Sequence, residues 1–373
     1  MEIWLFDIMM WPYRQWEIPY PFPASMYDRK LGMKLYDGHL ALLKRADELG
    51  YDGVCLAEHH FAFNGTAPSP NLIAAAVATH TSNTRIVLMG NCLPIHGHPV
   101  RVAEELAMID VLSHGRLVSG FLRGTARETH AYLVDNSEAR SMWEESWELI
   151  VKAWTEPEPF AWHSEHYDYD EVSIIPRPVQ QPHPPIVAAA NSAESIEWAA
   201  SHHAGLLTSF SPTEQIAETL GYYRKYAQEQ CGWTPRPEDT GVSRQVYVAH
   251  TDAQAREEVE AHAFQFYSNI GAGVHDPQTR ERQRLRISDR SYAYKSAGHR
   301  AMPIGEDARY ERVIEDGYLV AGSPDTVTRL IKEQQKALGV GRFLTYLPFG
   351  TMEPDQAMRS LELFAKEVMP NLR

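Results

Sequence analysis

The sequence predicts an α/β protein folded as a (β/α)8 TIM barrel with insertions, and three observations support this prediction. Eight short apolar runs recur along the 373 residues, and each is followed by a longer stretch with helical spacing. Such alternation requires parallel strands joined by right-handed crossovers. No GxGxxG motif follows the first strand, which disfavours a Rossmann-like sheet with a cap. We therefore expect one barrel domain over residues 1–373.

The individual elements follow from periodicity and from helix stop signals. Leu35, Leu42 and Leu49 recur at near-helical spacing, and Gly50 ends that helix. The predicted strands are 3–9, 53–57, 85–89, 116–121, 186–190, 205–209, 242–250 and 342–347. The predicted helices are 34–49, 70–81, 99–112, 137–154, 193–203, 212–231, 253–267, 323–338 and 354–368.

Two segments interrupt the alternation. Residues 157–185 are rich in proline and aromatic residues, and they predict an excursion that forms a β-ribbon rather than a domain linker. Residues 271–317 are rich in arginine and glycine and have no clear period. Long irregular segments in a compact domain are usually functional or disordered, so this one predicts a lid, with Gly271 and Gly273 supplying hinge freedom. The alternative is a solvated insertion with helices of its own.

Composition and charge exclude several classes of protein. The chain is 44% hydrophobic and carries a formal net charge of −14, with no basic run to neutralise phosphates. Neither nucleic acid nor an anionic membrane is an expected partner. The amino end has no basic region of a secretory signal, and no apolar stretch is long enough to span a membrane, so we expect a cytoplasmic protein. The three scattered cysteines predict neither a disulfide framework nor a metal site.

In a barrel of this type, chemistry is located where the strands end at their carboxyl side. The second strand ends at Glu58-His59-His60-Phe61, a carboxylate beside two imidazoles, which predicts an acid/base cluster. The alternative is a set of ordinary polar rim residues. A metal site is not expected, because adjacent side chains at a strand end point in opposite directions and HExxH spacing is absent.

The fourth and fifth strands end in residues suited to an anion. Arg123 precedes Gly124, and Ser192 lies where the next helix should begin. Alone, each has an ordinary interpretation, a turn glycine beside a surface arginine and a capping serine. Because the two strands are neighbours in a barrel, Arg123 and Ser192 can bind one phosphate at a helix N-terminus. After the third strand, Gly90 permits close backbone approach to a flat ligand.

Four segments together resemble the bacterial luciferase-like flavin-dependent monooxygenases. They are LAEHHF at 56–61, LPIHGHPVRVAEELAMIDVLSHGRL at 93–117, LRGTARE at 122–128 and ANSAESIEWAA at 190–200. They occur in the family's order, and the resemblance extends over almost the whole chain. It implies a barrel that binds reduced FMN at its carboxyl rim and oxygenates a small organic substrate with O2 through a C4a-peroxyflavin. It also implies a separate flavin reductase and a homodimer formed by the helices after strands two and three.

The resemblance also assigns residues. His59 falls on the catalytic histidine, and Arg123 and Ser192 fall on the phosphate ligands. The expected cofactor-binding residues are Gly90, Asn91, Leu122, Arg123, Gly124, Ala190, Asn191 and Ser192. Near Gly90 the family often has a non-proline cis peptide. The expected residues of the substrate pocket, several of them apolar, are Phe6, Met9, Trp11, Glu58, His60 and Phe61.

The sequence departs from luciferase at two positions. Leu122 replaces a reactive cysteine, and Thr129 takes the place of an acidic residue that supports the catalytic histidine, although Glu128 is adjacent. Light emission with a long aldehyde is therefore not expected. An F420-dependent oxidoreductase and a non-catalytic flavin-binding protein remain alternatives. No residue distinguishes a terpenoid substrate from a sulfonate or an aromatic one.

Overall fold

A closed ring of eight parallel strands forms the centre of the molecule. The computed structural model describes residues 1–12, 21–275 and 309–373. In the ring, the strand Glu2–Asp7 pairs with Gly53–Leu56, and pairing continues in chain order through Arg85–Leu88, Leu117–Leu122, Ile186–Ala189, Gly205–Thr208, Thr240–Val248 and Arg342–Tyr346 back to Glu2–Asp7. Thr240 opposite Leu206 and Glu2 opposite Arg342 are among the pairs that close the ring. The (β/α)8 barrel predicted from the sequence is confirmed.

Helices surround this ring. The strands are β1 Glu2–Asp7, β2 Gly53–Leu56, β3 Arg85–Leu88, β4 Asn91–Cys92, β5 Leu117–Leu122, β6 Phe160–His163, β7 Asp168–Val172, β8 Ile186–Ala189, β9 Gly205–Thr208, β10 Thr240–Val248, β11 Leu319–Gly322 and β12 Arg342–Tyr346. The α-helices are α1 Arg29–Glu48, α2 Pro70–His80, α3 Pro99–Leu112, α4 Ala126–Ala131, α5 Ala139–Thr155, α6 Ala193–Ser201, α7 Thr213–Gln230, α8 Asp252–His275, α9 Tyr310–Glu315, α10 Pro324–Leu338 and α11 Pro354–Leu363.

Four of the described strands and α-helices were missed by the sequence prediction, namely β4, β11, α4 and α9. Strand β11 pairs in parallel with the upper half of β10, outside the ring of eight. Helix α4 is a single short helix after β5, and it begins with a capping box in which Thr125 and Glu128 satisfy each other's backbone N–H groups.

The two interruptions have different outcomes. Within residues 157–185, strands β6 and β7 pair antiparallel and form a ribbon. Most of the lid expected over 271–317 lies outside the described residues, which resume at 309. Helix α8 extends to His275, so Gly271 and Gly273 lie inside a helix and do not begin the loop as expected.

The ends of β3 and β5 approach each other unusually closely. A Cβ atom at Gly90 would overlap with the carbonyl oxygen of Gly120, and one at Gly120 would overlap with that of Leu88. The Met89–Gly90 peptide bond, which lies in this contact, is cis. Beyond it, Asn91 and Cys92 pair with the last residues of β5. These glycines therefore bring two strand ends together beneath the site described below.

A carboxylate lies at the N-terminus of helix α10. Asp252 Oδ1 accepts a hydrogen bond from Ser323 N at 2.7 Å, and Asp252 Oδ2 accepts one from Thr326 Oγ1 at 3.0 Å. These bonds and the charge of Arg329 lower the pKa of Asp252.

Among the described residues, no helix has the length and apolar character needed to cross a membrane.

Candidate active site

A cleft of about 240 Å³ opens at the carboxyl ends of β2, β5 and β8. Its lining includes eight of the predicted site residues, which are Glu58, His59, Leu122, Arg123, Gly124, Ala190, Asn191 and Ser192. The remaining lining residues are Cys92, Phe121, Thr125, Glu128, Trp143, Ala189 and Ser195. The structure thus brings together residues from three strand ends that are far apart in the sequence.

His59 is oriented by a carboxylate. Its Nδ1 lies 3.0 Å from Glu128 Oε1, and Glu128 is almost fully buried. The other oxygen of Glu128 accepts a hydrogen bond from Thr125 N at 2.8 Å, which fixes the carboxylate at the start of α4. Glu128 therefore supplies the acidic support that Thr129 does not. The hydroxyl of Thr129 instead donates to the carbonyl oxygen of Thr125.

Glu58 is the centre of a second hydrogen-bond network. Its carboxylate lies 2.8 Å from His60 Nε2 and 3.1 Å from His96 Nε2, and it accepts from Cys92 N at 3.1 Å. Tyr132 Oη lies 2.9 Å from His60 Nδ1. The adjacent histidines thus serve different carboxylates, as expected for side chains that leave a strand end in opposite directions. His60 belongs to this network and does not line the cleft.

These contacts set the charges in the cleft. Burial raises the pKa of Glu58, but hydrogen bonds from His60 and His96 outweigh it and bring that pKa down to about 2. Burial lowers the pKa of His59, whereas the hydrogen bond and charge of Glu128, with the charge of Glu58, raise it above its ordinary value. The pKa of Glu128 is lowered by the same pair despite its burial. These contacts favour the protonated form of His59 and the ionised form of Glu128.

A second polar group consists of Arg123, Arg140, Ser192 and Ser195, and we call it the anion-binding corner for the ligand that its residue types suit. Ser192 precedes α6, and its hydroxyl donates to Ser195 Oγ at 3.1 Å instead of capping the helix. Arg140, from the first turn of α5, reaches Ser195 Oγ at 3.5 Å. Arg123 lines the same cleft. Two guanidinium groups, two hydroxyls and the N-terminus of a helix suit a phosphate group.

Two further features shape this corner. Gly124 has a φ of 82°, and a Cβ at this position would overlap with the sulfur of Cys92. Only glycine allows the backbone to lie so close to the floor of the cleft. Trp143 lines the cleft and is 2% exposed, and its Nε1 has no hydrogen-bond partner within the described part of the chain. Such a buried N–H group is a donor suited to a ligand.

The other predicted residues lie outside the lining of this cleft. Gly90 and Asn91 lie beneath it, where Gly90 packs against Gly120 and Asn91 is fully buried in β4. Phe6, Met9 and Trp11 are buried near the end of β1. Phe61 is 47% exposed at the rim, with its ring 5.6 Å from that of Tyr132. Phe61 thus differs in burial from Phe6, Met9 and Trp11, with which the sequence prediction placed it in the substrate pocket.

Comparison with known proteins agrees with this geometry. The family model described as luciferase-like monooxygenase matches residues 22–341. The chain belongs to this family. This chain is 30% identical to the oxygenase component of the flavin-dependent trigonelline monooxygenase of Acinetobacter baylyi. The alignment covers 66% of this chain and 68% of the relative.

Two solved structures share the fold of this luciferase-like monooxygenase. A monooxygenase from Streptomyces bottropensis superposes over 100% of both chains, with a TM-score of 0.76 and 25% identity. The oxygenating constituent of 3,6-diketocamphane monooxygenase from Pseudomonas putida, solved in complex with FMN, superposes with a TM-score of 0.75. That alignment covers 99% of this chain and 98% of the other, at 24% identity.

Sequence reasoning missed Arg140, Ser195 and Trp143 of this luciferase-like monooxygenase. All three lie on helices, where periodicity assigns a residue to a face but not to a site. Arg140 did carry a signal, because a cation in the first turn of a helix opposes the helix dipole. The helix dipole does not explain an arginine at this position, and the structure places Arg140 beside Ser195.

Proposed function

We propose that this protein uses reduced FMN and O2 to oxygenate a small organic substrate. The observation that carries the proposal is the presence, in one cleft, of the anion-binding corner and the His59–Glu128 pair. The first suits a phosphate monoester, and the second suits proton transfer. Reduced FMN supplies the electrons that activate O2, and the protein positions it and manages protons and water.

Arg123, Arg140, Ser192 and Ser195 would hold the FMN phosphate at the N-terminus of α6. The residues fit this role because they converge from β5, α5 and α6, and within the described residues no carboxylate is hydrogen-bonded to Ser192 or Ser195. The acidic contacts of Arg140 are Glu144 at 3.5 Å and Glu194 at 4.0 Å. Gly124 lets the backbone lie against Cys92 beside the corner.

His59 would be the acid/base group. Glu128 occupies Nδ1 and so leaves Nε2 to act toward the cleft that His59 lines. Because its pKa is raised, His59 carries a proton at neutral pH more fully than an unpaired histidine does. His59→Ala should lose oxygenation by 10^2- to 10^4-fold while still binding flavin.

We also propose that a separate reductase supplies the reduced flavin and that the protein is a homodimer. The relatives support the first point, since they are described as the oxygenase component and the oxygenating constituent of their systems. The apolar side chains exposed on α2 and α3 support the second, among them Leu72 and Met108. The test of this point is given in the Discussion.

The deciding experiment is an anaerobic titration with reduced FMN and, in parallel, reduced F420, followed by mixing with O2. Tight binding of reduced FMN and oxygen-dependent product formation would support the proposal. Preferential binding of F420 would indicate a hydride-transfer oxidoreductase of the same fold instead. Binding of FMN with no product in any substrate screen would indicate a flavin-binding protein.

A further inference from the structure

The carboxyl ends of β1, β9, β10 and β12 form a second half of the barrel mouth with a different character from the cleft. Five aromatic side chains meet there, and we call them the aromatic cluster: Phe6, Phe210, Phe266, Tyr346 and Phe349. Tyr346 is central, with its ring 5.4 Å from Phe6 and 5.5 Å from Phe266. Phe210 is half-buried and lies 6.2 Å from Tyr346.

Gln245 faces the barrel interior at the level of this cluster. It is opposite Tyr346 in the β10–β12 register, and Tyr346 is opposite Phe6 in the β12–β1 register. Residues at paired positions point to the same face of a sheet. The adjacent Arg244 points the other way, since its guanidinium binds Gln334 of α10 and the Ser211 carbonyl in the helical layer.

The side-chain amide of Gln245 is buried in the barrel. Gln245 is 2% exposed, and neither its Nε2 nor its Oε1 has a hydrogen-bond partner among the residues the structure describes. Leaving a buried polar group unpaired costs about 1–3 kcal/mol, which makes such groups rare in native proteins. An amide that can both donate and accept, placed among aromatic rings, is the pattern of a ligand-recognition group.

Charge near the cluster disfavours an anionic ligand. Asp7, at the end of β1, is fully buried, and its carboxylate lies 2.6 Å from His39 Nδ1 and 2.8 Å from Met9 N. Burial and, after it, the negative charge of Asp7 raise the pKa of the Tyr346 hydroxyl. A ligand carboxylate in this half of the mouth would lie near that charge, and the guanidinium of Arg244 faces outward and so does not offset it.

From these observations we infer the substrate class: a neutral, largely apolar molecule with one carbonyl or hydroxyl oxygen, which the side-chain amide of Gln245 binds. This inference rests on the proposed function, because it assigns the cofactor to the cleft and the substrate to the aromatic half. The cluster supplies apolar contact, and Gln245 supplies the single directional bond that orients the substrate.

The test compares two ligands of the same shape, cyclohexanone and methylenecyclohexane, by ligand-observed NMR with the full chain and without flavin. The parent protein should bind the ketone about ten-fold more tightly. Gln245→Leu should remove this preference while retaining the affinity for methylenecyclohexane. Gln254→Leu, which removes a glutamine bonded to Glu258 on the outside of α8, should leave the preference intact.

Equal binding of the two ligands by the parent, binding of neither, or a preserved preference in Gln245→Leu would overturn the inference. Gln245→Met replaces the leucine variant if thermal unfolding shows that the latter does not fold. FMN affinity measured on the same proteins separates the two proposals. Loss of the ketone preference with FMN binding unchanged concerns the aromatic half only, whereas failure to bind FMN concerns the cleft.

Discussion

The carboxylate of Glu128 is held from two sides, by Thr125 N and by His59 Nδ1, and it is the group through which the proton on His59 is most directly controlled. Glu128→Gln keeps the shape and removes the charge. The pKa of His59 should then fall, so that activity requiring the protonated imidazole declines at a pH lower by about one unit. The measurement is the pH profile of kcat/KM together with the NMR titration of His59.

Glu145→Gln is the matched control, because Glu145 accepts only backbone N–H groups of residues 165 and 166 near the ribbon. Glu145→Gln should leave the pH profile of kcat/KM unchanged. An unchanged profile in Glu128→Gln would show that Glu128 does not control the proton on His59.

The His59–Glu128 pair also affects the stability of the fold. The raised pKa of His59 stabilises the fold below the ordinary value of 6.5 and loses this effect as pH rises through the raised value. The lowered pKa of Glu128 acts in the opposite direction, with stability lost as pH falls through it.

Arg123 separates binding of the phosphate from binding of the flavin ring. A charge-assisted hydrogen bond contributes about 1.5–3 kcal/mol, so Arg123→Ala should weaken FMN binding by about 10- to 100-fold. Riboflavin has no phosphate and should bind the variant and the parent alike. Isothermal titration measures both affinities. Arg101→Ala removes an exposed arginine paired with Glu105 and should change neither. FMN affinity that survives in Arg123→Ala would place the phosphate elsewhere.

Helices α2 and α3 present an apolar surface to solvent. Leu72 is 73% exposed and Met108 is 47% exposed, although the helices that carry them pack against each other. Monomers rarely leave such residues uncovered on adjacent elements, and two-fold homodimers are the commonest oligomers. Light scattering should therefore give about twice the chain mass of 42.3 kDa for the parent, and 42.3 kDa for the double variant Leu72→Glu, Met108→Glu.

Met33→Glu provides the control on a different helix, since Met33 is 63% exposed on α1. It should leave the dimer intact. A parent protein that scatters only as a 42.3 kDa species would end this proposal.

The elements differ in how far the sequence could predict them. The ring strands were predictable because each is an apolar run bounded by turn residues, and the end of β2 directly marked His59. Helix α1 begins at Arg29, five residues before the predicted start, because Asp28 caps it through the N–H groups of residues 30 and 31. Arg140 and Gln245 could not be assigned, since their roles depend on which residues of other elements face them.

The whole barrel depends on the contact between the ends of β3 and β5. Gly90→Ala would drive a Cβ into the backbone of Gly120, which has no freedom to move away inside a closed ring. We expect a loss of about 1–3 kcal/mol in the free energy of unfolding, or more. Gly221→Ala is the opposite case, because Gly221 lies in α7 with open space around it and alanine favours the helix by about 1 kcal/mol. Urea unfolding of both variants checks the pair, and equal stabilities would contradict the tight contact.

The carboxylate of Asp252 also disfavours anion binding at the N-terminus of α10. Barrels of this class frequently bind phosphate beside their last two strands, at the N-terminus of a nearby helix. Here α10 begins beside the seventh ring strand, and the chain has already inserted a carboxylate of its own, bonded to Ser323 and Thr326. The positive end of α10 is therefore already neutralised by Asp252, and a phosphate bound there would be repelled by the negative charge of that carboxylate. In the described part of the chain, no carboxylate is hydrogen-bonded to Ser192 at the N-terminus of α6. We therefore expect a phosphate to prefer the N-terminus of α6 to that of α10.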